Sequence, residues 1–474
     1  MKIGFLSLGC PKNLVDSEVM LGLLESKGHT LTTVAEEAEV LVVNTCAFIN
    51  SAKKESIDTI LEMAEHKRSG NCTRLVVTGC LAERYRSELK NEIPEIDELI
   101  GTGEIPEIIN AVEPISDKTN TSQVQFFRSE PLPKTSEVTG SEIKVLKSTN
   151  TDPTKTPNYI YDATTPRKLT TPQHFAHVKI AEGCNYRCAF CIIPTLRGHY
   201  RSRPIESIVE EANRLVNNGV RELILISQDT SHYGVDRKER NALPRLLREL
   251  NKIDGLVWIR LLYLYPTTIT NALLDTMADC EKVCRYIDLP LQHAADDVLS
   301  RMRRPGTRHR YEDLLSNIRT RLPNVTLRTT FIVGFPGETP KEFNELCNFI
   351  KEIKFDHVGV FTYSHEESTT AYKLKDDVTA SLKRRRRHRL LEIQKRLLVQ
   401  TNRGKLGQIS KVLIDGPSPE HDLVVQGRLE GQAPEIDGVV YLTECDPSRY
   451  KPGQLVTAKL VSAKDYDLTA VPLP

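Results

Sequence analysis

The stretch Cys184-Asn-Tyr-Arg-Cys188-Ala-Phe-Cys191 decides how this chain is interpreted. Its three cysteines, at CxxxCxxC spacing, stand in a predicted loop directly after an apolar strand, HVKIAEG at 177–183. Three thiolates on one tight loop can hold three irons of a [4Fe-4S] cube and leave the fourth iron without a protein ligand. Zinc, with His199 as a fourth ligand, is the alternative, and three unrelated buried cysteines are a further one.

The motif opens a run of alternating strands and helices that extends from His177 to about residue 365. Five more apolar runs follow the first, and helical stretches separate them: ELILISQ, WIRLLYL, YIDLPLQ, LRTTFIVGF and HVGVFTYS. Six consecutive strand–helix units predict an α/β domain, either a partial or full (βα) barrel or an open doubly wound sheet. We assign residues 158–378 to this domain.

Residues 1–113 also alternate between strands and helices, which predicts a parallel sheet. Cys10 follows the strand KIGFLSLG, Cys46 follows EVLVVNT, and Cys80 follows RLVVTG. The carboxyl ends of neighbouring parallel strands share one edge of the sheet, so the three thiols can converge on a single site. We expect a second cluster with one open iron there; three unrelated buried cysteines are the weaker interpretation.

Three further segments complete the predicted organisation. Residues 114–157 contain 21 Ser, Thr, Pro or Asn among 44 residues, which is typical of a flexible insertion or linker. Residues 379–405 form a basic connecting helix, for which a solvated charged face is favoured over contact with an anionic partner. Residues 406–474 consist of short apolar strands with Gly and Pro turns, the pattern of a small β-barrel.

Composition limits the function classes. The 474 residues carry 64 Lys and Arg against 63 Asp and Glu, so no global field draws the chain to nucleic acid or membrane. The sequence has no apolar run of roughly 20 residues and no recognisable export signal, so we expect a cytoplasmic protein without membrane contact. Eleven cysteines in such a chain favour metal ligation or catalysis over disulfides. Outside the two sets, five cysteines are assigned structural roles: Cys72, Cys280, Cys284, Cys347 and Cys445.

The central domain resembles the radical S-adenosylmethionine (SAM) superfamily over residues 177–365, and Phe190 before the third cysteine matches that pattern. The whole chain except the insertion resembles the methylthiotransferases, whose order is a cluster domain, a radical SAM barrel and a TRAM-type β-barrel. Three stretches are similar to the branch that modifies a ribosomal protein: Leu8-Gly9-Cys10-Pro11-Lys12-Asn13, Ala181-Glu182-Gly183-Cys184 and Ser227-Gln228-Asp229-Thr230.

This resemblance implies two [4Fe-4S] clusters and SAM as cofactors, with a reducing electron donor. Cys184, Cys188 and Cys191 would serve radical generation, and Cys10, Cys46 and Cys80 would serve sulfur delivery. The implied reaction adds a methylthio group to the β-carbon of an aspartate in small-subunit ribosomal protein twelve. The alternative substrate is a modified adenosine of transfer RNA, and we expect a monomer in either case.

Other strand ends supply candidate SAM contacts once the resemblance is accepted. Glycine after a barrel strand would let the backbone approach the adenosine closely. Arg328, near the start of its strand, is equally well explained as an internal barrel charge. The candidates, together with the motif aromatic, are Phe190, Ser227, Gln228, Gln292, Arg328 and Gly334.

Overall fold

The computed structural model describes residues 1–113, 128–129, 156–419 and 421–473. The predicted insertion at 114–157 therefore lies almost entirely outside the described residues. The chain divides into two compact units. The N-terminal unit comprises Met1–Thr170, Glu182–Tyr186 and Cys191–Arg201, and the C-terminal unit comprises Thr171–Ala181, Arg187–Phe190 and Ser202–Pro474.

The N-terminal unit contains a five-stranded parallel sheet in the order β2-β1-β3-β4-β5. All six residues of β3 are buried, as expected for a central strand covered on both faces. The three predicted strands are confirmed, whereas β2 and β5 are three-residue edge strands too short to show a pattern. The elements are β1 (Lys2–Ser7), α1 (Pro11–Ser26), β2 (Thr30–Thr32), β3 (Val40–Thr45), α2 (Asn50–Ser69), β4 (Arg74–Gly79), α3 (Cys80–Arg84), α4 (Arg86–Glu92), β5 (Glu98–Ile100), α5 (Ile108–Val112), β6 (Arg128–Ser129) and β7 (Thr156–Pro157).

A partial barrel of six parallel strands forms the centre of the C-terminal unit. Two three-stranded sheets, β12-β11-β8 and β13-β14-β15, are joined by a parallel bridge between Ile259 and Val283. The six predicted strands and the α/β class are thus confirmed. The elements from residue 175 are β8 (Phe175–Lys179), β9 (Ala181–Glu182), α6 (Ile193–Arg197), β10 (Arg201–Ser202), α7 (Ile205–Asn217), β11 (Glu222–Ile226), α8 (Ala242–Asn251), β12 (Trp258–Leu261), α9 (Asn271–Asp279), β13 (Tyr286–Asp288), α10 (Asp296–Arg301), α11 (Arg308–Arg321), β14 (Thr326–Val333), α12 (Pro340–Ile353), β15 (His357–Thr362) and α13 (Ala380–Gly404).

The chain ends in the predicted small β-barrel, which is closed in the order β16-β17-β18-β20-β19. Buried and exposed residues alternate through the first part of β19, so one face of that strand lines the barrel core. The strands are β16 (Ile409–Ser418), β17 (His421–Arg428), β18 (Val440–Leu442), β19 (Leu455–Lys464) and β20 (Asp467–Pro472).

A buried charge network joins this β-barrel to the N-terminal ends of the parallel strands. Glu222, the first residue of β11, accepts a hydrogen bond of 2.7 Å from Arg260 Nε. Arg428 Nη1 of β17 lies 2.7 Å from the other carboxylate oxygen of Glu222. Asp415 accepts bonds of 2.9 Å from Arg428 Nε and Nη2. Because Glu222, Arg260 and Arg428 are almost wholly buried, the two barrels form one continuous structure.

The basic helix α13 is only partly a solvated face. Arg384 and Arg385 are exposed, but Lys383 and Arg386 are buried. Lys383 Nζ donates to Asp376 at 2.6 Å, and Arg386 Nη1 donates to the carbonyl oxygen of Glu338 at 3.0 Å. Arg387 Nε also donates to the carbonyl oxygen of Val360 at 3.0 Å, so at least three of the six basic residues at 383–389 bind within the protein, which sequence alone did not indicate.

Residues 156–170 belong with the N-terminal unit, although 158 was the predicted start of the barrel domain. Arg167 Nη2 donates to Glu18 of α1 at 2.6 Å, and Thr170 donates its backbone N–H to the same carboxylate at 2.8 Å. This segment covers α1.

Across the described ranges, no helix combines the length and apolar character needed to cross a membrane.

Candidate functional site

Cys10, Cys46 and Cys80 lie just past the carboxyl ends of three neighbouring strands. Cys10 precedes α1 after β1, Cys46 follows β3 directly, and Cys80 is the first residue of α3 after β4. Strand β3 pairs with both β1 and β4, so the three residues share one sheet edge, as predicted. Cys10 is exposed, Cys46 half-buried and Cys80 buried, which gives the set an open side at Cys10.

The three thiols influence one another electrostatically. Burial raises the pKa of the Cys46 thiol, and negative charge at Cys10 adds to the shift. Burial raises the pKa of Cys80 to about 12; Arg197 opposes this shift, whereas Cys46 and Cys10 contribute to it. A Cβ at Gly9, whose φ is +98°, would lie 3.3 Å from Cys46 Sγ, so only glycine lets the two loops approach this closely.

A layer of amides fixes the loops that carry these cysteines. Asn13 Nδ2 donates to the carbonyl oxygens of Leu8 at 2.6 Å and of Thr45 at 3.3 Å, and so ties the loop after β1 to the end of β3. Asn44 Nδ2 donates back to the carbonyl oxygen of Asn13 at 3.0 Å. Asn13, the last residue of the stretch Leu8–Asn13 quoted above, therefore positions the loops of Cys10 and Cys46.

Arg197 is a residue of this site that sequence reasoning missed. It is the last residue of α6, six positions after Cys191, and is 3% exposed. Its Nη2 donates to Cys80 Sγ at 3.6 Å and to Asn13 Oδ1 at 3.1 Å. Its Nη1 pairs with Asp16 and lies 3.4 Å from Glu182. A guanidinium thus lies against the most buried thiol of the set.

The cysteines of the CxxxCxxC loop are all half-buried. The backbone N–H of Cys184 donates to the carbonyl oxygen of Gly198 at 3.0 Å in the N-terminal unit. In the C-terminal unit, Cys188 Sγ lies 3.9 Å from Tyr265 Oη and accepts from Arg304 Nη1 at 3.7 Å. Arg304 also lies over the Tyr265 ring at 3.9 Å, so a cation faces this thiol as well.

The loop is held in the C-terminal unit through its last turn. Ala189 donates its backbone N–H to Met302 at 2.8 Å and accepts from Ala371 at 2.8 Å. Phe190 packs against a buried cluster that includes Phe335 and Tyr363. Phe190 therefore has a clear packing role, and its contact with SAM stays a prediction.

Ser227 and Gln228 follow β11, as predicted, at the carboxyl end of that strand. Ser227 is buried, with its Oγ 3.4 Å from Thr230 Oγ1, and Gln228 is half-buried beside it. Asp229 caps the next turn by accepting from the His232 backbone N–H at 3.2 Å. The turn is a rigid structure at the strand end where cofactors bind in such barrels.

Gln292 and Gly334 also lie at this end. Gln292 has φ +74°, accepts from the Ile332 backbone N–H at 2.8 Å and donates its own to Thr330 at 2.8 Å. Gly334 has φ +74°, and a Cβ there would lie 2.3 Å from Lys383 Cγ. The absence of a side chain at Gly334 thus accommodates Lys383 of α13, and the approach of its backbone to adenosine stays a prediction.

Arg328 lies away from these residues. It is the third residue of β14; its Nη1 donates to Asp288 at 2.7 Å, and its Nε lies 3.8 Å from Asp437 of the C-terminal barrel. This placement agrees with the alternative of an internal barrel charge. The structure thus groups Ser227, Gln228, Gln292 and Gly334 at the carboxyl strand ends and separates Arg328 from them.

The remaining cysteines carry no site. All eleven cysteines fall within the described ranges, and none forms a disulfide. Cys72 precedes β4 and Cys347 lies in α12, both buried, as predicted. Cys280 ends α9 and Cys284 lies beyond it, so the two do not share a helix face.

Each donor set offers three thiols, the ligand chemistry of a [4Fe-4S] cluster. No three His, Cys, Asp or Glu side chains in the described part of the chain lie close enough to hold one ion. A structural zinc site needs four ligands that converge on one atom. In a cube each thiolate binds a different iron, so the ligands lie further apart. His199, the fourth ligand that zinc would need, hydrogen-bonds Asn185 Oδ1 at 3.2 Å through Nδ1.

Comparison with known families follows the three regions of the fold. Residues 2–101 match the uncharacterised protein family UPF0004, residues 178–350 match the radical SAM superfamily, and residues 406–473 match the TRAM domain.

Curated relatives match over nearly the whole chain. Ribosomal protein uS12 methylthiotransferase RimO of Koribacter versatilis is 46% identical over 99% of this chain and 96% of its own length. The RimO proteins of Desulforamulus reducens and Geobacter sulfurreducens are 45% and 43% identical over 98% of this chain, and 98% and 97% of their own lengths. The chain belongs to the RimO family. This RimO family member is a radical SAM methylthiotransferase that uses iron–sulfur clusters and SAM.

Solved structures support the fold of this RimO family member. The radical SAM methyltransferase TsrM from Kitasatospora setae, with cobalamin and a [4Fe-4S] cluster bound, aligns with a TM-score of 0.51 at 16% identity, over 76% of this chain and 72% of TsrM. The cobalamin-dependent radical enzyme OxsB aligns with a TM-score of 0.51 at 12% identity, over 83% of this chain and 56% of OxsB. At these identities the similarity concerns the fold alone.

Proposed function

We propose that this enzyme replaces one hydrogen on the β-carbon of an aspartate in ribosomal protein uS12 with a methylthio group. Its relatives carry uS12 in their names and match 94–98% of their own length. The charge of the C-terminal barrel supports a protein substrate. Residues 403–474 contain 8 Lys and Arg against 10 Asp and Glu, whereas an RNA-reading module is expected to be basic.

The observation that carries the proposal is the placement of Cys10, Cys46 and Cys80 at one edge of the sheet, in addition to the CxxxCxxC loop. A radical enzyme needs only the loop; a sulfur-inserting one needs a second place to hold sulfur. We assign Cys184, Cys188 and Cys191 to the cluster that serves SAM. Cys10, Cys46 and Cys80 are assigned to an auxiliary cluster.

When bound, the two clusters and SAM supply the radical and the sulfur that side chains cannot, because no side-chain base removes a proton from an unactivated carbon at neutral pH. The chain's own residues position these groups. Asn13 fixes two of the auxiliary loops, Arg304 donates to Cys188, and the turn after Ser227 shapes the strand end. The exposed Cys10 gives the auxiliary set a solvent-facing side through which a substrate can reach the sulfur.

The test is mass spectrometry of uS12 after incubation with the anaerobically reconstituted enzyme, SAM and a strong reductant. We expect a methylthio group on one aspartate and about eight irons per chain. A methylthio product on transfer RNA alone, with uS12 unchanged, would refute the substrate assignment. Four irons per chain would refute the second cluster.

Cysteine variants separate the two roles. Alanine at Cys184, Cys188 or Cys191 should abolish reductive SAM cleavage. Replacement of Cys10, Cys46 or Cys80 by Ala should leave reductive SAM cleavage intact and stop methylthio transfer. The matched controls Cys72→Ala and Cys347→Ala remove buried thiols outside both sets and should retain all irons. Loss of SAM cleavage in folded auxiliary variants would contradict the division of labour.

We further propose that the enzyme is a cytoplasmic monomer that takes electrons from a reducing donor. Ribosomal substrates and the absence of a membrane-spanning helix among the described residues are compatible with this location. Light scattering of the reconstituted enzyme checks the oligomeric state; the mass of a dimer would contradict it.

A further inference from the structure

Arg197 brings a buried positive charge to the auxiliary set from a distant part of the chain. It is separated from Cys80 by 117 residues, yet its Nη2 donates to Cys80 Sγ at 3.6 Å. The other charged groups facing it are Asp16 and Glu182, and its remaining polar partner there is Asn13 Oδ1. One cation thus meets two carboxylates and one thiol in a site closed to solvent.

A hydrogen bond from a guanidinium to a ligand sulfur acts on any cluster that is bound through that sulfur. Asp16 and Glu182 hold the guanidinium through Nη1, and Nη2 is directed at Cys80 Sγ and Asn13 Oδ1. A thiolate bound to iron is the partner that uses this donor, since hydrogen bonds to sulfur and nearby charge set the potential of such clusters.

We propose that Arg197 is a positioning residue of the auxiliary cluster, which orients Cys80 and raises the reduction potential of the cluster bound there. This inference rests on the proposed assignment of Cys10, Cys46 and Cys80 as ligands. Because α6 follows Cys191 so closely, the same segment of chain carries a ligand of one cluster and the charge that adjusts the other. The segment is therefore part of both sites.

The neighbouring Arg201 offers a matched control. It lies in the same segment and is half-buried, and its Nη1 donates to the backbone carbonyl oxygens of Arg197 and His199, both at 2.9 Å. It supports the fold of the segment by donating to backbone carbonyl oxygens, including that of Tyr159. Arg201→Gln should therefore weaken the local structure without a direct effect on the cluster.

The experiment uses the full chain with Cys184, Cys188 and Cys191 replaced by Ala, so that only the auxiliary site loads. This parent is compared with its Arg197→Gln, Arg197→Lys and Arg201→Gln derivatives. Each is reconstituted anaerobically with iron and sulfide. The measurements are iron and sulfide per chain, the midpoint potential and electron paramagnetic resonance spectrum of the cluster, and the unfolding temperature of the metal-free protein.

We expect Arg197→Gln to shift the midpoint to more negative values, because Asp16 and Glu182 are left uncompensated and resist the added electron. Arg197→Lys should restore most of the potential, and Arg201→Gln should match the parent. The same potential and spectrum in Arg197→Gln at equal iron content would overturn the proposal. The proposal would also be overturned if Arg197→Gln and Arg201→Gln lost the same amount of iron and their unfolding temperatures fell equally. That result would show a purely structural role for Arg197. If the parent itself binds no four-iron cluster, the ligand assignment fails instead.

Discussion

Replacement of Glu222 by Gln removes the central charge of the network between the two barrels of the C-terminal unit. Glu222 is fully buried, with Arg260 at 2.7 Å from one oxygen and Arg428 at 2.7 Å from the other. The variant keeps the volume of the side chain but leaves Arg260 without a carboxylate. Arg428 retains its two bonds to Asp415.

The expected loss of stability is about 3–5 kcal/mol, the cost of removing one partner from a buried ion pair. An exposed pair contributes at most about 1 kcal/mol, so the control is Glu249→Gln, whose carboxylate pairs with Lys252 on the surface of α8. The comparison holds the chemical change constant and varies only burial.

The assay is denaturant unfolding of the metal-free protein followed by tryptophan fluorescence. Trp258 is the only tryptophan in the sequence and begins β12, where Arg260 lies 5.8 Å from its ring. Its emission therefore reports on the network itself. If the Glu222→Gln midpoint shifts no further than that of Glu249→Gln, the network does not stabilise the barrel junction and our reasoning is wrong.

The pH dependence provides a second check on the same variant. Burial works against the Glu222 carboxylate, but Arg428 and Arg260 hold its pKa below its usual range. A depressed pKa in the folded state gives stability that is present above the unfolded pKa and lost as pH falls through the folded one. The difference in free energy of unfolding between the wild type and Glu222→Gln should therefore become smaller at acidic pH. A difference that does not change with pH would contradict the ion pairing of Glu222.

Three further predictions concern the site. Gly334→Ala should lower the unfolding temperature by the equivalent of about 1–3 kcal/mol, because φ is +74° and Lys383 Cγ occupies the space of a Cβ; an unchanged temperature would contradict this packing. Burial raises the pKa of Glu338 to about 7, so wild-type stability should fall as pH rises towards 7, and Glu338→Gln should remove that slope in thermal unfolding measured between about pH 5 and pH 8. If the stability of Glu338→Gln still fell with rising pH, the pH dependence would belong to another titratable group. Asn13→Ala should lower the free energy of unfolding in denaturant by about 1–3 kcal/mol, because the carbonyl oxygens of Leu8 and Thr45 lose their donor. The variant should also release auxiliary iron during gel filtration. Full retention of iron would argue against the positioning role of Asn13.

The sequence predicted those parts of the site that depend on local pattern. Alternating strands and helices placed Cys10, Cys46 and Cys80 after neighbouring strands, because a strand end is visible within a few residues of the chain. The loop at 184–191 was equally local. Both predictions concern position, and the structure has all six cysteines where the pattern put them.

The parts that escaped prediction depend on contacts between distant segments. Nothing near Arg197 in the sequence indicates that it reaches Cys80, and its position in a five-residue helix resembles ordinary surface charge. The packing of Gly334 against Lys383, from a helix that begins 46 positions later, was not predicted, and the approach of Gly334 to the cofactor stays a prediction. Arg328 had two interpretations, and only its pairing with Asp288 could separate them.

The buried junction at Glu222 also constrains how such enzymes can recombine. A terminal β-barrel borrowed from another protein would arrive without Arg428, and the buried Glu222 would keep Arg260 but lose the second cation beside its other oxygen. Acquisition of a new substrate-recognition module therefore requires matched changes on the catalytic barrel, so the two parts are expected to be inherited together.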